Sequence, residues 1–183
     1  LRESASGARR ADIVIMTKCL PSIKKEEMEK CRAMLSTKKE TPLFFSTIEY
    51  GAHYPVFPNE ATLEERSLEG ANILLVTGIA NPAPLKKELE TKGAQVTLMQ
   101  YADHHNFSSG DYEEIAKEFG KLNGRKIIIT TEKDTARLRH AALPKVIKEN
   151  IHAIPIVIKI LDNKEKMFNQ IITDYVTENR RNR

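Results

Sequence analysis

The stretch from Asn72 to Phe107, "NILLVTGIANPAPLKKELETKGAQVTLMQYADHHNF", decides the fold. "NILLVT" is an apolar run of strand length, and "GIANP" is turn chemistry. Pro84 suits a first helical turn and Gly93 the position just past a helix end, so "LKKELETK" reads as a helix between them. "AQVTLMQY" is a second strand, followed at once by "DHHN". The same alternation continues downstream. "SGDYEEIAKEFGKLNG" is a helix, "RKIIITTEKDTARLRH" a strand, turn and helix start, "HAIPIVIKIL" a last strand, and "NKEKMFNQIITDYVTENRR" a closing amphipathic helix. Upstream, "ADIVIMTK" (Ala11 to Lys18) reads as a strand buried on both faces. "SIKKEEMEKCRAML" reads as a helix capped by Ser22, and "PLFFSTIEYG" is strand-like. A proline-rich, charged connector follows it. Strands alternating with helices imply right-handed βαβ units. The expected fold is Rossmann-like α/β, in three layers around a mostly parallel sheet. The expected division is 1–41, a connector over 42–68, and a C-terminal α/β domain over 69–183.

Composition narrows the function. Of 183 residues, 40% are hydrophobic and 30% charged, which is the balance of a folded chain rather than a disordered one. Net charge is +4. Arg9, Arg10, Arg180, Arg181 and Arg183 crowd the extremities, where solvated tails or contacts with phosphate or anionic headgroups are the usual roles. There is no tryptophan and no basic–aromatic interleaving, which argues against nucleic acid as a partner. Cys19 and Cys31 form no CxxC or zinc spacing and suit a reducing cytoplasmic setting. No apolar stretch approaches the roughly 20 residues of a membrane span, and no signal peptide is visible. The chain opens on Leu1 rather than methionine, which suits part of a longer protein.

Ligands of open parallel sheets bind beyond the carboxyl ends of the strands. Four polar clusters fall there: "TKC", "TGIANP", "DHHN" and "TTEKD". "TEKD" has capping-box spacing, with Thr131 as N-cap and Asp134 three residues on, so a local structural role competes with a functional one. "TGIANP" is equally consistent with a tight turn. In "DHHN" an imidazole beside a carboxylate suits proton transfer near neutral pH. It also offers metal ligands, but no second His/Asp cluster with ligand spacing occurs, so no metal site is predicted. No GxxxxGK[ST] phosphate loop is present anywhere in the chain.

In their order, "LRE" at Leu1 to Glu3, "RRADIVIMTKC", "LLVTGIANP", "YADHHNFS" and "IITTEKDTARL" give nearly the whole chain a resemblance to the C-terminal half of the tetraacyldisaccharide 4'-kinases, the lipid A 4'-kinases. The resemblance implies a fragment of a two-domain P-loop kinase. Such an enzyme moves the γ-phosphate of ATP to the 4'-hydroxyl of a tetraacyldisaccharide 1-phosphate, a lipid A precursor, at the cytoplasmic side of the inner membrane. It implies that the Walker loop, the membrane-associating segment and the paired acidic residues precede "LRE", so that ATP and Mg2+ are bound mainly outside this chain and the fragment alone is inactive. It implies that His104, with Asp103 beside it, partners an aspartate near the transferred phosphate. Arg2 and Glu3 match a pair expected near the nucleotide and its magnesium. Two other readings stay open on the residues alone. A DHH-type metal-dependent phosphoesterase also sets "DHH" after a strand, although no upstream "DxD" occurs here. A Rossmann-like ligand-binding module without catalysis is the other.

Overall fold

Ile73, Leu74, Leu75 and Val76 are wholly shielded from solvent, as consecutive residues of a strand are when both of its faces are covered. The computed structural model that shows this describes residues 5–35, 37–38, 40–61, 67–103 and 105–181. After a 3-10 turn at Ala5–Arg10, the elements in chain order are β1 (Val14–Met16), α1 (Lys25–Met34), β2 (Leu43–Tyr50) and β3 (Tyr54–Pro55). Next come β4 (Asn72–Thr77), α2 (Ala83–Thr91), β5 (Gln95–Gln100), α3 (Ser109–Lys121), β6 (Lys126–Thr131) and α4 (Glu132–Leu138). The chain continues through α5 (Lys145–Asn150), β7 (Ile151–Ile154), β8 (Ile156–Ile160) and α6 (Glu165–Arg181). They form two units: Leu1–Glu49 with Val157–Arg183, here unit 1, and Tyr50–Ile156, here unit 2.

Unit 2 holds a five-stranded sheet in the order β3-β7-β6-β4-β5. Its ladders are parallel except at β3, which runs antiparallel to β7. Side chains alternate between faces along each strand. Ile73, Leu75, Ile127 and Ile129 therefore join Leu85 and Leu89 of α2 on one side. Leu74, Val76 and Ile128 join Tyr112, Ile115 and Phe119 of α3 and Ile147 of α5 on the other. Three layers result, as expected. Gly93 takes φ +84° directly after the α2 C-cap, a conformation that strains any residue with a Cβ.

At the β3–β7 pairing two buried histidines meet, with 2.9 Å between His53 Nδ1 and His152 Nδ1. One nitrogen must donate and the other accept. Burial, and then the His53 charge, push His152 down to about 4. Its Nε2 is also buried without a hydrogen-bond partner, so a second proton there would be unsolvated. In the unfolded chain the ring takes up its proton near pH 6.5. The folded state therefore keeps this contribution above about pH 6.5 and loses it as pH falls toward 4. The urea midpoint should drop between pH 7 and pH 4.5. A His152→Leu variant should show a flatter profile over that window; a slope unchanged by the substitution would remove the pair as its cause.

Unit 1 carries a three-stranded sheet, β1-β2-β8, with β1 parallel to β2. Ile15 lies opposite Phe44, whose ring meets Phe168 of α6 edge-on at 5.2 Å between centroids.

Several expectations are corrected. "HAIPIVIKIL" is two strands in two sheets, parted at Pro155, which has no N–H to continue a ladder. The strand within Ala11 to Lys18 is only three residues long and half open to solvent, not buried on both faces. The first helix is capped at Lys24, not Ser22, with Glu27 accepting from the Lys24 N–H at 2.9 Å. The expected division at 41 and 68 differs from the two units: β2 lies in the expected connector, yet its pairing with β8 draws the end of the chain into unit 1.

Candidate functional site

In unit 2, β5 and β6 flank β4 on opposite sides, so the chain reverses its winding around β4. Such a switch point is where open α/β sheets form ligand crevices. Three of the four polar clusters meet here, at the carboxyl ends of β4, β5 and β6. The fourth, Thr17 and Lys18, follows β1 in unit 1.

Asp134 ties the three together. It is fully buried at the start of α4. Its Oδ2 accepts from Thr131 Oγ1 at 2.7 Å, from the Gly78 N–H at 3.1 Å and from Thr77 Oγ1 at 3.4 Å. The Asp134 N–H donates to Thr131 Oγ1 at 3.2 Å, so Thr131 is the N-cap that the spacing predicted. The carboxylate does more than cap, because it grips the loop after the neighbouring strand. Its Oδ1 lies 3.8 Å from Arg137 Nη1. Gly78 is a glycine for a reason of space: a Cβ there would lie 3.2 Å from the Ala102 carbonyl oxygen and 3.3 Å from Asp134 Oδ1.

The "DHHN" loop is anchored on both sides of residue 104. Asp103, exposed, is ion-paired with Lys133 of α4. Arg137 Nη1 donates to the His105 carbonyl oxygen at 3.0 Å. The His105 ring stacks on Tyr101, 4.7 Å between centroids, and its Nε2 lies 3.0 Å from Asp111 Oδ2. A carboxylate only accepts, so that nitrogen carries the proton. Asp111 also closes a capping box with Ser108 at the start of α3. The Ser108 N–H, with His105 and the Ser108 hydroxyl adding to it, holds the Asp111 carboxyl below its ordinary range. Burial, then the charges of Asp111 and Glu114, push Tyr101 up to about 12. His105 is thus engaged in packing and helix capping.

Of the predicted site residues, the structure places Asp103 at this crevice. His104, Arg2 and Glu3 lie outside the described residues. Sequence reading gave Asp134 only a local cap and passed over Lys133 and Arg137. Arg137 stands three residues after Asp134, on the same helical face, which is the one signal that linked them. Among the described residues, no three His, Cys, Asp or Glu side chains come together as a metal site. None of the described helices is long and apolar enough to cross a membrane.

Residues 1–177 match the family described as tetraacyldisaccharide-1-P 4'-kinase. A tetraacyldisaccharide 4'-kinase of Bacteroides fragilis (strain YCH46) is 45% identical over the whole of this chain and half of its own length. One of Bacteroides thetaiotaomicron is 44% identical, again over all of this chain and half of its own. Among solved structures, an "apo" form LpxK from Aquifex aeolicus in complex with ATP matches 94% of this chain and 45% of its own, at 22% identity and a TM-score of 0.52, a likeness of fold. The chain spans about half the length of the curated relatives it matches. Matched from end to end by relatives of this identity, with its strand-end loops gathered at one crevice, the chain belongs to the tetraacyldisaccharide 4'-kinase family.

Proposed function

We propose that this chain supplies the C-terminal part of a kinase that transfers the γ-phosphate of ATP to the 4'-hydroxyl of a tetraacyldisaccharide 1-phosphate in lipid A biosynthesis. The observation that carries the reading is the family match over residues 1–177. The crevice at the β4 switch point supports it, since its three loops hold the motifs that the family resemblance rests on. In this reading His104 acts beside the transferred phosphate. It orients an aspartate that takes the proton of the sugar hydroxyl, and Asp103 stands next to it. In the same reading Arg2 and Glu3 serve the nucleotide and its magnesium. The protein works at the cytoplasmic side of the inner membrane, where its acylated substrate resides, and has no nucleic-acid partner.

ATP and Mg2+ do not fit this chain's own residues as a complete site. There is no GxxxxGK[ST] loop in the sequence, and no metal-holding cluster among the described residues. Both are assigned mainly to the half of the family fold that the chain does not span. Calorimetry with Mg-ATP on the 183-residue chain should therefore detect no micromolar binding, which would be about −8 kcal/mol. A micromolar site would mean that the nucleotide is held by these residues. The function itself is tested by joining this chain to the portion of the Bacteroides fragilis relative outside its match. The joined protein should phosphorylate a tetraacyldisaccharide 1-phosphate, and the 183-residue chain should not. A folded joined protein that binds ATP yet leaves this acceptor unmodified would refute the reading.

A further inference from the structure

Three side chains of α4 reach the loops around the β4 crevice. Lys133 and Arg137 stand four residues apart, on one helical face, with Asp134 between them in sequence. Asp134 accepts from the Gly78 N–H, in the loop after β4. Lys133 pairs with the Asp103 carboxylate, and Arg137 Nη1 donates to the His105 carbonyl oxygen at 3.0 Å, both in the loop after β5. Both loops are thus referred to one short helix, whose own start is fixed at the end of β6 by the Thr131 cap.

The loop after β5 needs such ties. Among its described residues between Gln100 and Ser109, none lies in a strand or helix. The His105 N–H donates to the Ala102 carbonyl oxygen at 3.0 Å, which draws the two flanks of residue 104 together. The same carbonyl packs on Gly78, where a Cβ would lie 3.2 Å from it. Solvent-exposed segments with few backbone bonds open easily. The two cations of α4 add one tie on each side of residue 104, the first to a side chain and the second to the backbone. Arginine suits the second place. Its guanidinium keeps its charge and offers several donors in one plane, so the group that holds the loop carbonyl also lies 3.8 Å from Asp134 Oδ1.

We propose that Arg137 and Lys133 are positioning residues for the phosphoryl transfer: by fixing the backbone on both sides of residue 104, they hold its imidazole to one geometry at the reacting groups. The inference rests on the proposed role of His104 and deepens it. Neither cation needs to touch the substrate, since each acts through the loop that carries His104. A reacting group misplaced by about 1 Å can cost on the order of 10²-fold in rate. A loop loosened at one of its ties loses part of that.

Kinetics on the joined protein and amide exchange on the 183-residue chain test this. In the joined protein Arg137→Ala should lower kcat about tenfold and Lys133→Ala about threefold, with KM for ATP unchanged. With His104→Ala already in place, Arg137→Ala should cost less than about twofold more, because a residue acting through another has no effect once that other is gone. A merely structural role would give equal losses in both backgrounds. In the 183-residue chain Arg137→Ala should speed exchange at the His105 amide about tenfold more than at the Gly78 amide, which keeps its Asp134 acceptor. A global loss of stability would speed both alike. Folded Arg137→Ala and Lys133→Ala enzymes with normal kcat would overturn the proposal. So would equal losses with and without His104, or exchange that rises equally at the two amides. If Arg137→Ala does not fold, Lys133→Ala, at a more exposed side chain, carries the same measurements. A joined protein that binds ATP yet leaves the acceptor unmodified refutes the kinase reading before any variant is compared, and this proposal with it. Normal kcat in the variants of an active joined protein refutes the positioning role alone.

Discussion

Replacing His104 by alanine in the joined protein should lower kcat by about 10²-fold or more, the usual scale for a participant in proton transfer. The expectation follows from the proposed role beside the transferred phosphate and from the anchoring of its neighbours. Asp103 is held by Lys133, and the His105 carbonyl by Arg137. A group acting mainly in the transition state contributes little to ground-state binding, so KM for ATP should stay within a few-fold. His105→Ala should differ in kind. Its ring stacks on Tyr101 and meets the Asp111 cap, so its loss should lower the melting temperature more than turnover. Steady-state kinetics on both variants, with melting curves, separates the two. A folded His104→Ala enzyme with near-normal kcat would take this residue out of the mechanism.

The largest effect on stability should come from Asp134. Alanine there leaves the buried Gly78 N–H without its acceptor and strips the hydroxyls of Thr77 and Thr131 of the same oxygen. An orphaned buried donor costs about 1–3 kcal/mol, and deleting one partner of a buried charged network about 3–5 kcal/mol. We expect about 3 kcal/mol for Asp134→Ala. Asp134→Asn should cost less, because its carbonyl can still accept from Gly78. Equilibrium urea unfolding with an unchanged m-value is the measurement. A loss under about 1 kcal/mol would mean that the three strand-end loops are held by packing rather than by this carboxylate. The desolvation cost of the buried carboxylate does not reverse the sign, since its partners stay behind when it is removed.

Much of this was legible in the residues. The run "NILLVT", the glycine after α2 and the Thr131–Asp134 spacing each act locally, and each formed the element its chemistry prescribes. That the strand-end loops converge follows from parallel pairing alone. What escaped was non-local. "HAIPIVIKIL" has the same apolar character on both sides of Pro155, and only pairing assigns its two halves to different sheets. β3 is two residues long, too short for periodicity. The exposure of Ile15 and Ile158 was invisible because an apolar sequence states that it seeks cover without stating where the cover comes from. Asp134 looked like a cap because its nearest partner, Thr131, is local; Gly78 is 56 residues away.

Unit 1 is written in two separate passages of the chain, with the whole of unit 2 between them. During synthesis this sets an order of events. β2, carrying Leu43, Phe44 and Phe45, leaves the ribosome before any of unit 2's sheet, but β8 and α6 follow the whole of unit 2. At bacterial-scale elongation of about 5–20 residues per second, the wait is on the order of ten seconds. Unit 2, encoded without interruption, can fold during that interval while the most buried strand of unit 1 stands bare. A nascent chain stalled before Ile156 should therefore recruit holdase chaperones to β2, and release from the ribosome should end that recruitment.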